Sequence, residues 1–170
     1  QGIIPNYIHK GLEICVGMPR KFARKELAVE NMNNKEIPKE AIQASKIIEE
    51  LLDSILVGIY LYGSAVMGGL RINSDVDILV VINRSLSERT RRDLTDRLML
   101  ISGKIGNTKD MRPLEVTVIN QKDIIPWHFP PRYEFMYGEW LREQFEKGDI
   151  PEPTYDPDLA ILLAQLRKNS

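Results

Sequence analysis

Apolar and polar positions along the chain switch between two periods, and the switches outline its elements. Ile42, Ser45, Ile48, Glu49, Leu52 and Ile55 recur at helical spacing, with an apolar stripe through Ile42, Ile48, Leu51, Leu52 and Ile55. A helix is predicted there, with Pro38 suited to its first position. Leu56–Tyr62 is a short apolar run that ends in Gly63-Ser64, and it reads as a buried strand by length and residue type. A short helical segment, Ala65 to Gly68, follows that turn. Asp75–Ile82, bounded by Asn73-Ser74 and Asn83-Arg84, is a second strand, and Leu114–Ile119 a third. Between them, Ser87 to Ser102 is helical, with Ser87 as N-cap and Leu94, Leu98 and Ile101 as the core stripe. Tyr133 to Lys147 is predicted to be helical and to stop at Gly148. After Pro151, Pro153 and Pro157, a last helix starts near Asp158.

Gln1 to Asn31 differs from the rest. It carries Pro5, Gly11, Gly17 and Pro19 and a basic run from Arg20 to Lys25, with no sustained apolar period. The patterned part restarts at Met32. Its order of elements predicts an α/β fold, a small central sheet flanked by helices. The short spacing between the first two strands makes them candidate neighbours, through a tight excursion at Gly68-Gly69. Strand order and direction do not follow from the pattern.

Composition narrows the function classes. A length of 170 residues suits one domain, or one domain with an appendage, and 43% hydrophobic with 28% charged residues argues against disorder. The net charge of -1 leaves no basic field to hold nucleic acid, so no nucleic-acid partner is expected. No apolar stretch approaches the roughly 20 residues of a membrane span, so no membrane partner is expected. The lone Cys15 cannot form an internal disulfide, which fits a reducing cytoplasm. His9 and His128 are far apart and read as surface residues. Arg84, Arg89, Arg91, Arg92 and Arg97, interleaved with Glu88, Asp93 and Asp96, read as a solvated face with i,i+4 pairs.

Three features carry candidate chemistry. Gly63-Ser64 follows a buried strand and precedes a helical segment, a turn that lets a phosphate approach the backbone; taken alone it also fits an ordinary strand-to-helix turn. Asp75 and Asp77 are two apart at the start of a strand and share one face. Two adjacent carboxylates repel, and a divalent cation resolves the repulsion; oxygen ligands select Mg²⁺ or Mn²⁺. The alternative is a pair of exposed residues capping neighbours, which fits Asp77 badly because it lies inside the apolar run. Glu115 interrupts another apolar strand, where an ionised group is costly unless it is paired, bound to a metal or on a wet edge. Together these describe nucleotidyl transfer. The Gly-Ser turn would hold a triphosphate, Asp75 and Asp77 would hold Mg²⁺, and Glu115 would join the metal or take a proton from the attacking hydroxyl.

The segments Leu61-Tyr62-Gly63-Ser64-Ala65-Val66-Met67-Gly68-Gly69-Leu70 and Asn73-Ser74-Asp75-Val76-Asp77-Ile78-Leu79-Val80 resemble the signature of the DNA-polymerase-β-like nucleotidyltransferases. Arg112–Val118, Ile124–Trp127, Gly138–Arg142 and Asp156–Leu163 are similar to bacterial aminoglycoside adenylyltransferases, especially the spectinomycin 9-adenylyltransferase group. The resemblance covers about Met32 to Ser170 and implies a mixed sheet of the nucleotidyltransferase fold. It implies Asp75 and Asp77 as Mg²⁺ ligands, Glu115 as catalytic base, and Ser64 and Ser74 as contacts to the phosphates of ATP. The blocks around Trp127 and Trp140 read as scaffold. Met67 departs from the polar residue usual there.

What the resemblance implies for function is transfer of AMP from Mg·ATP to the 9-hydroxyl of spectinomycin in the cytoplasm, with release of pyrophosphate and antibiotic resistance. Streptomycin as a second substrate, or a non-catalytic module of the same fold that binds a partner protein, are the alternatives. Relatives begin near the equivalent of Met32 and continue past that of Ser170 into a helical domain. The expectation is therefore an N-terminal extension over 1–31, a catalytic domain over 32–150, and a linker and first helix of the next domain over 151–170. The full-length family protein is expected to be monomeric. The last helix is apolar nearly all round through Leu159, Ala160, Ile161, Leu162, Leu163, Ala164 and Leu166, so the chain alone is expected to expose an apolar patch and self-associate.

Overall fold

The computed structural model describes residues 13–14, 37–62, 74–105, 111–124 and 128–168, with 13–14 and 165–168 described by their backbone alone. Within these residues the elements are β1 (Glu13–Ile14), α1 (Lys39–Leu52), β2 (Leu56–Tyr62), β3 (Val76–Ile82), α2 (Glu88–Ile101), β4 (Leu114–Asn120), β5 (Arg132–Gly138), α3 (Arg142–Glu146), β6 (Thr154–Tyr155) and α4 (Pro157–Lys168). The six strands form one sheet in sequential order. Only β3 and β4 run parallel; the other pairs are antiparallel, so the sheet is mixed as expected. Parallel neighbours need a long crossover, and α2 supplies it.

Strand alternation sorts the side chains onto two faces. Val76, Ile78, Val80 and Ile82 of β3 and Leu114, Val116 and Val118 of β4 join Phe135, Tyr137 and the buried sides of α1 and α2 in the larger core. Leu79, Val81 and Ile119 face the other way, where Leu159 and Leu163 of α4 cover them together with Tyr133. Asp75, Asp77 and Glu115 fall on this second face by the same alternation, at the ends of β3 and β4 where the strands start, and Thr117 lies on it in the middle of β4.

The segment 133–147 is not one helix. It is strand β5, a 3-10 turn over Glu139–Leu141, and the five-residue α3. Tyr133, Met136, Tyr137 and Leu141 fall at i, i+3, i+4 and i+8, a spacing that suggested a helix. The free edge of β4 decides otherwise. Pairing with it satisfies a row of backbone groups and sends Phe135 and Tyr137 into the larger core. A register shift between Val118 and Ile119 leaves Glu134 as the extra residue of a bulge. Its buried carboxylate accepts from the Ser85 hydroxyl, the Leu86 backbone N–H and Arg132. Gly148 ends the helix as expected, with a positive φ of 83°.

Two smaller differences concern α1 and the chain ends. Pro38 is the N-cap rather than the first helical residue, Ile55 lies in the turn after the helix, and Ile42 is 42% exposed. The buried side runs through Ala41, Ala44, Ile47, Ile48 and Leu52, one position round from the expected stripe, because the two alanines let the helix approach its neighbours closely. Glu13 and Ile14 add a two-residue strand to the edge of β2 in a segment where no sustained element was expected. At the other end, Thr154–Tyr155 pairs with β5 and α4 lies on the sheet, so 154–163 packs on the same sheet as the candidate site. Ile161 stands 59% exposed on α4. Ser87 caps α2 by accepting from the Thr90 backbone N–H at 3.0 Å. The α2 surface carries the expected Glu88–Arg92 and Arg89–Asp93 pairs, while Arg97 reaches Glu50 on α1 and the buried Arg91 reaches Glu152. His128 is exposed. Among the described residues, no helix is long and apolar enough to cross a membrane.

Candidate active site

Three register pairs place the candidate chemistry in one row across the second face. Tyr62 on β2 is opposite Asp77 on β3, Asp77 is beside Glu115 on β4, and Glu115 is opposite Gly138 on β5. In-register neighbours on adjacent strands are about 4.8 Å apart along the sheet and point to the same face. Asp75, two residues before Asp77, shares that face just outside β3. The two aspartates and Glu115, separated by about 40 residues of sequence, therefore meet at one end of the sheet.

The electrostatics describe an excess of negative charge. Burial pushes the Asp77 carboxyl up from 3.8 to about 7, with Glu115 and Asp75 adding to the rise. Glu115 is raised by burial and by Asp75, and Asp75 by burial and by Glu139. The Tyr62 hydroxyl is raised by burial and then by Glu115 and Asp77, against a hydrogen bond with Thr117. Each group is harder to ionise chiefly because it is buried, and nearby carboxylates add to that cost, which a cation would relieve.

The donor set fits Mg²⁺. Among the described residues, no three acidic, histidine or cysteine side chains already form a metal cage. Mg²⁺ does not need one: it is bound by one or two carboxylates, with substrate phosphates and water completing the shell. Asp75 and Asp77 supply that pair.

Ser74 is half-buried directly before Asp75, and its carbonyl accepts from an Arg112 Nη1 at 3.4 Å. The Arg112 backbone N–H in turn donates to the buried Glu40 carboxylate at 3.0 Å, which ties the approach to β4 to the first turn of α1. Gly63 and Ser64 lie outside the described residues, as do Ala65–Gly68, Met67, Cys15, His9 and Trp127.

Trp140 follows β5 in the turn over Glu139–Leu141. It is 51% exposed, and its indole lies against Gly138, where an added Cβ would stand 2.3 Å from the ring. Gly138 is extended, so space and not backbone conformation requires glycine there. Gly138 is opposite Glu115 in the register of β4 and β5. A buried network holds the turn. Glu139, 6% exposed, accepts from the Tyr137 hydroxyl at 2.6 Å and from Arg142 Nε at 2.6 Å. Arg142 also donates to the Met99 and Ser102 carbonyls at the end of α2. Burial alone would raise the Glu139 carboxyl, but Arg142, Ser102 and Tyr137 together hold it below the usual range. Tyr62 and Thr117 were not singled out from sequence. The i,i+2 pairing of Tyr60 with Tyr62 and of Glu115 with Thr117 was the available signal, but it becomes informative only once the strands are aligned.

Residues 42–141 match the family model of the nucleotidyltransferase domain. Over 140 residues the chain is 65% identical to the spectinomycin 9-adenylyltransferase of Staphylococcus aureus, covering 82% of this chain and 54% of that protein. It is 52% identical over 139 residues to the protein of the same name from Campylobacter jejuni, covering 82% and 54%. The crystal structure of a spectinomycin adenyltransferase from Enterococcus faecalis, determined with ATP and spectinomycin, superposes with a TM-score of 0.72 at 39% identity, covering 75% of this chain and 52% of that one. The chain thus spans about half the length of the relatives it matches. The matched span takes in every strand and helix that frames the three carboxylates, from α1 to the turn bearing Trp140, and the chain belongs to the nucleotidyltransferase domain family.

Proposed function

We propose that this chain carries the catalytic site of an adenylyltransferase that moves AMP from Mg·ATP to the 9-hydroxyl of spectinomycin. The observation that carries the reading is the register of Glu115 beside Asp77, which puts a candidate proton acceptor next to a candidate metal pair on one face of the sheet. The relatives named for spectinomycin, at 65% and 52% identity, favour that acceptor. Streptomycin is the less favoured second acceptor.

Asp75 and Asp77 would hold Mg²⁺, which when bound supplies positive charge to the triphosphate and to the charge that develops on the α-phosphoryl group. Gly63, Ser64 and Ser74 would hold the phosphates through backbone N–H and hydroxyl groups. Glu115 takes the proton from the acceptor hydroxyl. Its raised pKa brings a carboxylate closer to the working pH of a general base. The acceptor oxygen bonds to the α-phosphorus, the bond to the β-phosphate oxygen breaks, and pyrophosphate leaves with that electron pair. A reaction that draws on Mg·ATP would run in the cytoplasm.

The test is pyrophosphate release by the chain with Mg·ATP, measured with and without spectinomycin and with streptomycin in parallel. Release that requires spectinomycin is expected, weak from this chain, which spans about half the length of its relatives, and stronger once a C-terminal helical domain of the family is joined to it. Release that is the same without it, or that proceeds equally in EDTA, would overturn the reading.

A further inference from the structure

Behind the carboxylates lies a hydroxyl pair that packing does not explain. Tyr62 heads the row formed by Asp77 and Glu115. Its ring packs against the cluster of Leu79, Val81 and Ile119 that α4 covers. Its hydroxyl is hydrogen-bonded to Thr117, two residues beyond Glu115 on the same face of β4 and beside Leu79 in register. The phenol therefore crosses β3 on the diagonal, from the level of Asp77 to that of Leu79. It separates the carboxylates on one side from the apolar cluster on the other.

Phenylalanine and valine would fill the same space at positions 62 and 117. Thr117 is 2% exposed, so its hydroxyl carries a desolvation cost that only a hydrogen bond offsets. The two polar atoms stand on the side of the apolar cluster where Asp77 and Glu115 begin.

We propose that Tyr62 is a positioning residue for the metal-binding carboxylates: Thr117 holds the phenolic oxygen, and the phenolic hydrogen is directed to the Asp77–Glu115 pair, fixing their separation before a cation arrives. The inference rests on the reading of Asp75 and Asp77 as the metal pair. Without the hydroxyl the two carboxylates lose a donor that would hold them against their mutual repulsion. Outer hydrogen-bond partners of metal ligands are worth about 10–100-fold in metal affinity.

The experiment is Mn²⁺ binding to the chain, followed by the electron paramagnetic resonance signal of free Mn²⁺, for the parent and for Tyr62→Phe, Thr117→Val, Thr117→Ser, the Tyr62→Phe/Thr117→Val double variant and Asp77→Asn. Far-UV circular dichroism confirms the fold of each. Tyr62→Phe and Thr117→Val should each weaken Mn²⁺ about tenfold, Thr117→Ser should restore it, and the double variant should be no weaker than Tyr62→Phe alone. Asp77→Asn should lose binding. Parent-like affinity in Tyr62→Phe, with Asp77→Asn impaired, overturns the inference and leaves the metal pair standing. Equal binding by Asp77→Asn and the parent, or no uptake by the parent, removes the metal pair and the inference with it.

Discussion

Asp77→Asn should make the metal-free protein more stable, and by an amount that depends on pH. The Asp77 carboxyl ionises at about 7 in the fold, against 3.8 for the unperturbed group. The folded state therefore holds this proton more tightly than the unfolded chain, and stability falls as the pH rises between those values. The loss begins when the unfolded chain ionises and is complete once Asp77 itself is ionised. A thousandfold difference in proton affinity is about 4 kcal/mol at 1.36 kcal/mol per factor of ten. Asp77 is only half-buried, and solvent screens the field, so about 1–2 kcal/mol is expected. The amide is close in size and carries no charge, so the variant avoids this cost. For a chain of this length the gain is about 2–8 °C in melting temperature. Thermal melts in EDTA near pH 8 should show it, and the advantage should shrink towards zero as the pH is lowered to about 4. An unchanged melting temperature near pH 8, or a gain that does not depend on pH, would refute the account of Asp77 as a charge held against its neighbours.

Three other outcomes follow from named contacts. Glu115→Gln should slow adenylyl transfer by about 10²–10⁴-fold, the usual worth of a positioned base, with ATP binding little changed in a titration calorimeter; lost Mg·ATP binding would make Glu115 mainly a metal ligand. Gly138→Ala should push the Trp140 indole off its strand, because the new methyl would stand 2.3 Å from the ring. In a Trp127→Phe background, emission should shift to the red and acrylamide quenching should rise; an unchanged spectrum would mean that the ring does not lie there. Arg142→Met leaves the buried Glu139 carboxylate without its cation and two carbonyls of α2 without a donor. Urea denaturation should show a loss of about 3–5 kcal/mol, the range for breaking a buried ion pair; a loss below about 1 kcal/mol would show that water already satisfies Glu139.

The features legible in the chain alone were those set by short-range geometry. The strand period put Asp75 and Asp77 on one face before any partner was known, and Ser87 and Gly148 marked helix boundaries because capping depends on a few neighbouring residues. An α/β sheet flanked by helices followed from the order of the periods. The meeting of Glu115 with Asp77 did not. It requires β3 and β4 to be parallel neighbours in one register, and a one-residue slip would have turned Glu115 to the opposite face. The segment at Tyr133 shows the same limit, since a spacing compatible with a helix became β5 because β4 had an edge to fill. Tyr62 and Thr117 are ordinary strand residues in the linear pattern. Their place at the site comes from hydrogen bonds and contacts between strands distant in sequence, and only the assembled sheet brings those strands together.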